Sequence, residues 1–237
     1  MKRTEVMKRV CEAAAVFGAR VSRRGRVEVA RSGEQARRVR GRAREVARRV
    51  DGEVWRSGRV CVVTGESGVG KSMALRCLAR MARRRGDLVI EVRAASGRRC
   101  ALEMMGLPLE MALGVLSRAG LAEVGAIFRR AGELSTGQQA RLGMAAAFAR
   151  VVRVRRGESE RGRRRRVVIV ADELCATLDE ETTEAVWRGV VGFAAEMEGV
   201  AVVAATARLP RRLLHRVAQV GWAKMLEGVM VVEMEDA

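Results

Sequence analysis

Gly65, Gly70, Lys71 and Ser72 stand as G-x-x-x-x-G-K-S inside the stretch VCVVTGESGVGKS, Val60 to Ser72. A triphosphate carries three or four negative charges, so a loop that binds it must bring backbone N–H groups close to the phosphate oxygens. Side chains would block that approach, and Gly65, Gly68 and Gly70 remove them while tolerating positive φ. The loop Gly65-Glu66-Ser67-Gly68-Val69-Gly70 leads into a helical pattern opened by Lys71, Ser72 and Met73, whose positive dipole end points at the phosphates. Lys71 bridges the β- and γ-phosphates in this reading, and the Ser72 hydroxyl ligates Mg²⁺.

A second group completes the chemistry. The apolar run Val167-Val168-Ile169-Val170-Ala171 ends in Asp172-Glu173. Ligands of an open parallel sheet bind at the carboxyl ends of its strands, and Gly65 and Asp172 both stand at such ends. Asp172 then holds the Mg²⁺ together with Ser72, and Glu173 orients or deprotonates the attacking water. Catalytic work falls to Glu173 and Lys71, and the cofactors are ATP and Mg²⁺.

The elements that position these groups read as an alternation of strand and helix. Val60–Thr64, Leu88–Arg93, Val167–Ala171 and Val200–Ala205 are apolar, β-branched runs of buried strands. Helical spacing follows the phosphate loop and covers Thr182–Met197. The fold class is α/β, a P-loop core around a mainly parallel sheet. Ala101–Arg130, punctuated by Gly106, Pro108 and Gly120, reads as two or three short helices. Glu133–Arg150 is a helix with Ser135 placed to cap it. Upstream, Thr4–Ala19 has one apolar stripe of a helix and Val21–Ala30 reads as a short strand. Glu34–Val50 is a basic amphipathic helix, unless Arg44–Trp55 is instead an irregular strand. Arg153–Arg166 reads as a basic loop. Arg211–Arg216 is a short basic helix, and Val217–Leu226 with Val229–Met234 forms a C-terminal hairpin. Three regions result: a basic N-terminal region (1–55), an ATPase core (56–98 and 151–237), and a compact helical subdomain (99–150).

On four of these motifs the chain resembles the ABC-type ATPases. They are the phosphate loop, Leu134-Ser135-Thr136-Gly137-Gln138 in place of the family's L-S-G-G-Q signature, the strand with Asp172-Glu173, and Ala176-Thr177-Leu178-Asp179 in place of its D-loop. They occur in the family's order and span about Arg56 to Leu209. The resemblance implies that Ser135, Gly137 and Gln138 form an anion site completing the γ-phosphate site of a second protomer. Two ATP molecules would then lie in a head-to-tail homodimer with Asp179 at the seam. A weaker resemblance points to a group of ABC ATPases fused to an acetyltransferase-like domain, for which this chain has no room. Two family features are absent. No Gln lies between Lys71 and Gln138, where the family has a Mg²⁺-sensing glutamine, and Ala207 follows Thr206 where a switch histidine is expected. The single histidine, His215, reads as a surface or packing residue. The family's adenine-stacking aromatic would be Trp55 or Phe17.

Composition bounds the partners. At 237 residues the chain holds one well-buried domain with a small subdomain. Its 46 basic against 28 acidic residues leave a formal charge of +18, nearly all of it arginine. That excess attracts nucleic acid or an anionic surface, or else reflects a coding bias in a chain that lacks Tyr and Asn. No run reaches membrane-spanning length without charges, and Met1–Arg20 lacks a signal peptide's apolar segment, so the expected location is the cytoplasm. Cys11, Cys61, Cys77, Cys100 and Cys175 show no C-x-x-C spacing and read as reduced, small hydrophobes. Three functions remain open: an ATP-driven engine acting on nucleic acid, a transporter's nucleotide-binding subunit, which the missing glutamine disfavours, and a slow ATP-gated binding module.

Overall fold

The computed structural model describes residues 19–21, 27–29, 33–55, 60–159, 164–207 and 229–234. The chain divides into two units, Met1–Gly41 and Arg42–Ala237. In the first, β1 (Ala19–Val21) pairs antiparallel with β2 (Val27–Val29), Ala19 opposite Val29. Two short strands therefore stand where a single strand over Val21–Ala30 is expected. The helix expected over Thr4–Ala19 lies outside the described residues, except for Ala19 in β1.

α1 (Gly33–Glu53) begins in the first unit and continues into the second. It is a regular helix, so the alternative of an irregular strand from Arg44 is discarded. The reason is periodicity: Ala43, Ala47 and Val50 fall at spacings of four and three and are buried, while Arg44, Arg48 and Arg49 stay exposed.

The second unit is built on a five-stranded parallel sheet. Its strands are β3 (Val60–Gly65), β4 (Leu88–Glu91), β5 (Val167–Ala171), β6 (Val200–Ala205) and β7 (Val229–Met234), in the order β4-β5-β6-β3-β7. Every residue of β5 and β6 is buried, as expected for parallel strands covered on both faces. Alternate residues feed two cores. Val60, Val62, Ile90, Val167, Ile169 and Ala171 face one side, and Cys61, Val63, Val168, Val170 and Val203 face the other. On the latter face lie Ala43, Ala47 and Val50 of α1 and Ala74, Leu75, Leu78 and Ala82 of α2 (Lys71–Arg84). The opposite face carries α6 (Thr136–Ser159) and α7 (Glu180–Glu196), joined by a stacked pair, Phe148 on Phe193, with ring centroids 4.0 Å apart. Such a pair adds about 1 kcal/mol to the area it buries.

Between β4 and α6 stand α3 (Ala101–Met105), α4 (Leu109–Arg118), α5 (Val124–Ile127) and a 3₁₀ turn, Ala131–Glu133. This is the expected set of short helices. α4 docks on α7 at backbone distance: a Cβ on Gly189 would stand 1.7 Å from the Arg118 carbonyl oxygen. The Arg118 guanidinium also reaches the Glu196 carboxylate at 2.7 Å.

Arg153–Ser159 corrects the basic-loop expectation, because α6 continues through it. Arg153 donates to the Met105 carbonyl, and Arg155 donates to Glu158 (2.6 Å) and to the carbonyls of Arg165 (2.8 Å) and Glu198 (2.7 Å). Tertiary bonds to the arginine heads thus hold a helical end whose charge reads as solvated loop. β7 runs parallel to β3, Val60 opposite Val229. The Val217–Leu226 half of the hairpin, the basic helix Arg211–Arg216, and His215 lie outside the described residues. Among the described residues no helix is long and apolar enough to cross a membrane. Burial pushes the Cys61 thiol up to about 12, in keeping with a core thiol that stays protonated.

Candidate nucleotide site

All five strands are parallel, so the phosphate loop after β3 and Asp172-Glu173 after β5 emerge on one edge of the sheet. The strand between them is β6. Gly65 is required for a reason the motif does not disclose. A Cβ there would lie 2.2 Å from the carbonyl oxygen of Met234, so the space that glycine frees is occupied by β7. Gly68 and Gly70 adopt positive φ, 96° and 111°, which side chains at those positions would resist.

Gly70 caps α2 without any side-chain hydrogen bond. An uncapped helix start is the feature an anion fits, because the first-turn N–H groups lack intrahelical acceptors. Lys71 lies across the loop: its Nζ donates to the carbonyls of Gly65 (2.8 Å) and Glu66 (2.6 Å). Two of its three N–H bonds thereby brace the loop and one remains for a phosphate. Ser72 sits in the first turn of α2. Strand alternation sends Asp172 to the face of Val168 and Val170, the face α2 covers. Serine hydroxyl and carboxylate therefore share a side. Among the described residues no three His, Cys, Asp or Glu side chains form a metal cage. One hydroxyl and one carboxylate, joined by the oxygens of a bound phosphate, would make the hard oxygen donor set that Mg²⁺ takes in phosphate sites.

Glu173 is exposed and holds φ 55°, and Cys175 holds φ 65°, the left-handed region that side chains disfavour. Leu174, between them, explains how the loop keeps that shape. Its side chain is buried and its N–H donates to the Ala205 carbonyl at 3.0 Å, tying the loop to the end of β6. The Glu173 and Cys175 carbonyls then accept from Ala176 (3.1 Å) and Leu178 (3.2 Å). Asp179 ends the loop and caps α7. Its carboxylate accepts from the Thr182 N–H and hydroxyl, each at 2.8 Å, and these bonds, the N–H foremost, hold it below the usual carboxylate range.

Ser135 caps α6 reciprocally. Its Oγ accepts from the Gln138 N–H (3.2 Å), and the Gln138 side-chain oxygen accepts from the Ser135 N–H (3.1 Å). The Gln138 N–H is thus engaged by the cap, which uses neither the Ser135 hydroxyl hydrogen nor the Gly137 N–H. Ser135 itself is exposed. Gly137 meets the loop after β5, since a Cβ there would stand 2.8 Å from the Leu178 Cδ2.

Trp55 does not join the nucleotide site. The Arg166 guanidinium stacks 5.1 Å over its ring, and Arg166 immediately precedes β5, so Trp55 sits at the amino edge of the sheet. Phe17 lies outside the described residues. The described part of the basic loop is likewise occupied within the chain: Arg164 pairs with Glu198, and the Arg165 N–H donates to Glu158 at 3.0 Å.

Two contacts were not foreseen from the residues. A Cβ on Gly143 of α6 would stand 2.0 Å from the Arg93 carbonyl oxygen, and the Ala95 N–H donates to the Gln139 carbonyl at 3.0 Å. The segment after β4 is therefore fastened to the helix that Ser135 opens. The only sequence signal was a glycine inside a helical pattern with no turn to make.

No family model matches the chain, and no curated protein matches it. Solved structures do. A dimeric structure of MJ0796, a bacterial ABC transporter cassette, matches with a TM-score of 0.50 at 21% identity over 75% of this chain and 82% of that one. Its post-hydrolysis state bound to ADP and Pi scores 0.47 at 22% identity, covering 65% and 76%. RNase-L inhibitor scores 0.47 at 20% identity, covering 73% of this chain and 32% of its own. The fold shared with the first of these is that of an ATP-binding cassette.

Proposed function

We propose that this chain is an ATPase of the ABC class that binds Mg–ATP and hydrolyses it in a head-to-tail homodimer, driving a conformational change in a nucleic-acid-associated system. The observation that carries the nucleotide part is the uncapped start of α2 with Lys71 braced across the loop before it. Lys71 and the loop N–H groups bind the phosphates, Ser72 and Asp172 hold Mg²⁺, and Glu173 takes up the proton of the attacking water. Mg²⁺ supplies charge neutralisation on the phosphate oxygens. The dimer is supported by the exposed, capped start of α6, which offers donors outward, and by the dimeric state of MJ0796. The exposed arginines 44, 48 and 49 and the charge of +18 support a polyanionic partner.

A second reading, the nucleotide-binding subunit of a transporter, is favoured by exposed apolar side chains on the short helices. Leu109 and Met111 of α4, Val124 of α5 and the adjoining Phe128 all lie open, and large apolar side chains exposed on one short segment suit a protein partner.

The deciding experiment is equilibrium binding of a fluorescent ATP analogue with Mg²⁺ to the wild type and to Lys71→Ala. Binding that is lost in a folded variant supports the site, and unchanged affinity rejects it. A pull-down in the ATP-bound state, scored for nucleic acid against membrane proteins, separates the two readings.

A further inference from the structure

Beyond the groups already placed, the edge strand β4 brings a cation to the nucleotide side of the sheet. The β4–β5 register runs from Leu88 opposite Val167 to Glu91 opposite Val170, and the Val92 N–H donates to the Val170 carbonyl at 2.8 Å. Carried two residues further, that register brings Arg93 level with Asp172. Alternation sets the side. Val89 lies in the α2-facing core, Ile90 in the other, and Glu91 bonds Arg83 of α2 at 2.6 Å. Arg93 has the same parity as Glu91 and reaches it at 3.1 Å. Arg93, Asp172 and the start of α2 thus belong to one face and one edge.

The base and the head of Arg93 are held very differently. Its backbone is pressed against Gly143 of α6, so the residue cannot drift from its place. Its side chain is 82% exposed, and its ion-pair partner among the described residues, Glu91, is 41% exposed and keeps Arg83 when Arg93 leaves. An ion pair this wet is broken at little cost. A long, permanently charged, forked donor with a fixed root suits the equatorial oxygens of a terminal phosphate.

We infer that Arg93 swings from Glu91 to the γ-phosphate of bound ATP and serves as the residue that tells ATP from ADP. This rests on the ATPase reading above. No atom is transferred in the step: a guanidinium exchanges one carboxylate acceptor for phosphate oxygens. Because the root of Arg93 lies against α6, the presence of the γ-phosphate is communicated to the helix that Ser135 opens.

The test compares the affinities of a non-hydrolysable ATP analogue and of ADP, each with Mg²⁺, in the wild type, Arg93→Ala and Arg93→Lys. A charge-assisted contact to the γ-phosphate predicts that Arg93→Ala loses about ten- to hundredfold of the preference for the triphosphate, with ADP affinity unchanged. Arg93→Lys keeps part of that preference. Thermal unfolding of Arg93→Ala should match the wild type, since Arg83 still neutralises Glu91. An unchanged ATP-to-ADP ratio in a variant that binds both nucleotides overturns the assignment alone. A wild type that binds neither overturns the ATPase reading with it.

Discussion

The signature glycine, Gly137, is pressed against Leu178 of the loop that follows Asp172-Glu173, with 2.8 Å between the Cβ it lacks and the leucine Cδ2. Gly137 and Leu178, 41 positions apart in sequence, therefore bring two motifs together in one chain. The obstacle is the tip of a side chain and can rotate away, whereas Gly143 and Gly189 face backbone carbonyls at 2.0 and 1.7 Å. Thermal or urea unfolding should rank the alanine variants accordingly. Gly143→Ala and Gly189→Ala should lose roughly 1–3 kcal/mol each, and Gly137→Ala clearly less. Equal losses at all three would show that the α4–α7 and α6–Arg93 approaches are looser than described.

At Glu173 chemistry and backbone conformation oppose each other. A left-handed non-glycine residue costs on the order of 1 kcal/mol. Glu173→Gly should therefore leave stability unchanged or raise it by up to about 1 kcal/mol while abolishing hydrolysis. Glu173→Gln keeps the strain, binds ATP and should accumulate a dimer visible by light scattering. A glutamine variant that hydrolyses ATP at the wild-type rate would remove Glu173 from the mechanism.

Asp179 carries a pH signature. Its carboxylate is held below the usual range by Thr182, so its contribution to stability is present above the unfolded-state value and is lost as pH falls through the folded-state one. Asparagine can still accept from the Thr182 N–H but does not titrate. Between about pH 5 and 2 the melting temperature of Asp179→Asn should consequently fall less steeply than that of the wild type. Parallel acid limbs would indicate that the Thr182 bonds do not persist in solution.

The polyanion contact should map to α1 rather than to the arginines before β5. Arg164 and Arg166 already have partners in Glu198 and Trp55. Arg44, Arg48 and Arg49 are exposed on a helix whose opposite side is anchored by Ala43, Ala47 and Val50. Replacing the three by Ser should weaken binding to DNA or RNA and flatten the logarithmic salt dependence by up to about three units, leaving ATP affinity unchanged. Filter binding across a salt series reads both quantities, and a variant that binds as the wild type does assigns this charge to solvation alone.

The sheet and the phosphate loop were legible because fully buried parallel strands leave unbroken β-branched runs, and because G-x-x-x-x-G-K-S has a mechanical meaning at each position. Ser135 was legible as a cap for the same local reason. What escaped depends on approaches between distant segments. That Gly65 makes room for Met234, that Gly143 admits Arg93, and that Arg155 reaches the carbonyls of Arg165 and Glu198 at the end of α6 are tertiary facts, marked in the sequence by no more than a glycine inside a helical pattern. Trp55 was a candidate for adenine stacking by its place upstream of the loop. Only the position of Arg166 reveals that it faces the other edge of the sheet.

The clasp between Gly189 and Arg118 makes α7 a push-rod. Its 17 residues span about 25 Å, with Asp179 hooked over one end and Glu196 latched to Arg118 near the other. Bare backbone against bare backbone leaves no layer of side chains to act as a lubricant, so the rod cannot slide under α4 without dragging it along. A nudge at Asp179 thus arrives at the short helices as displacement of a whole block, not as a local rearrangement.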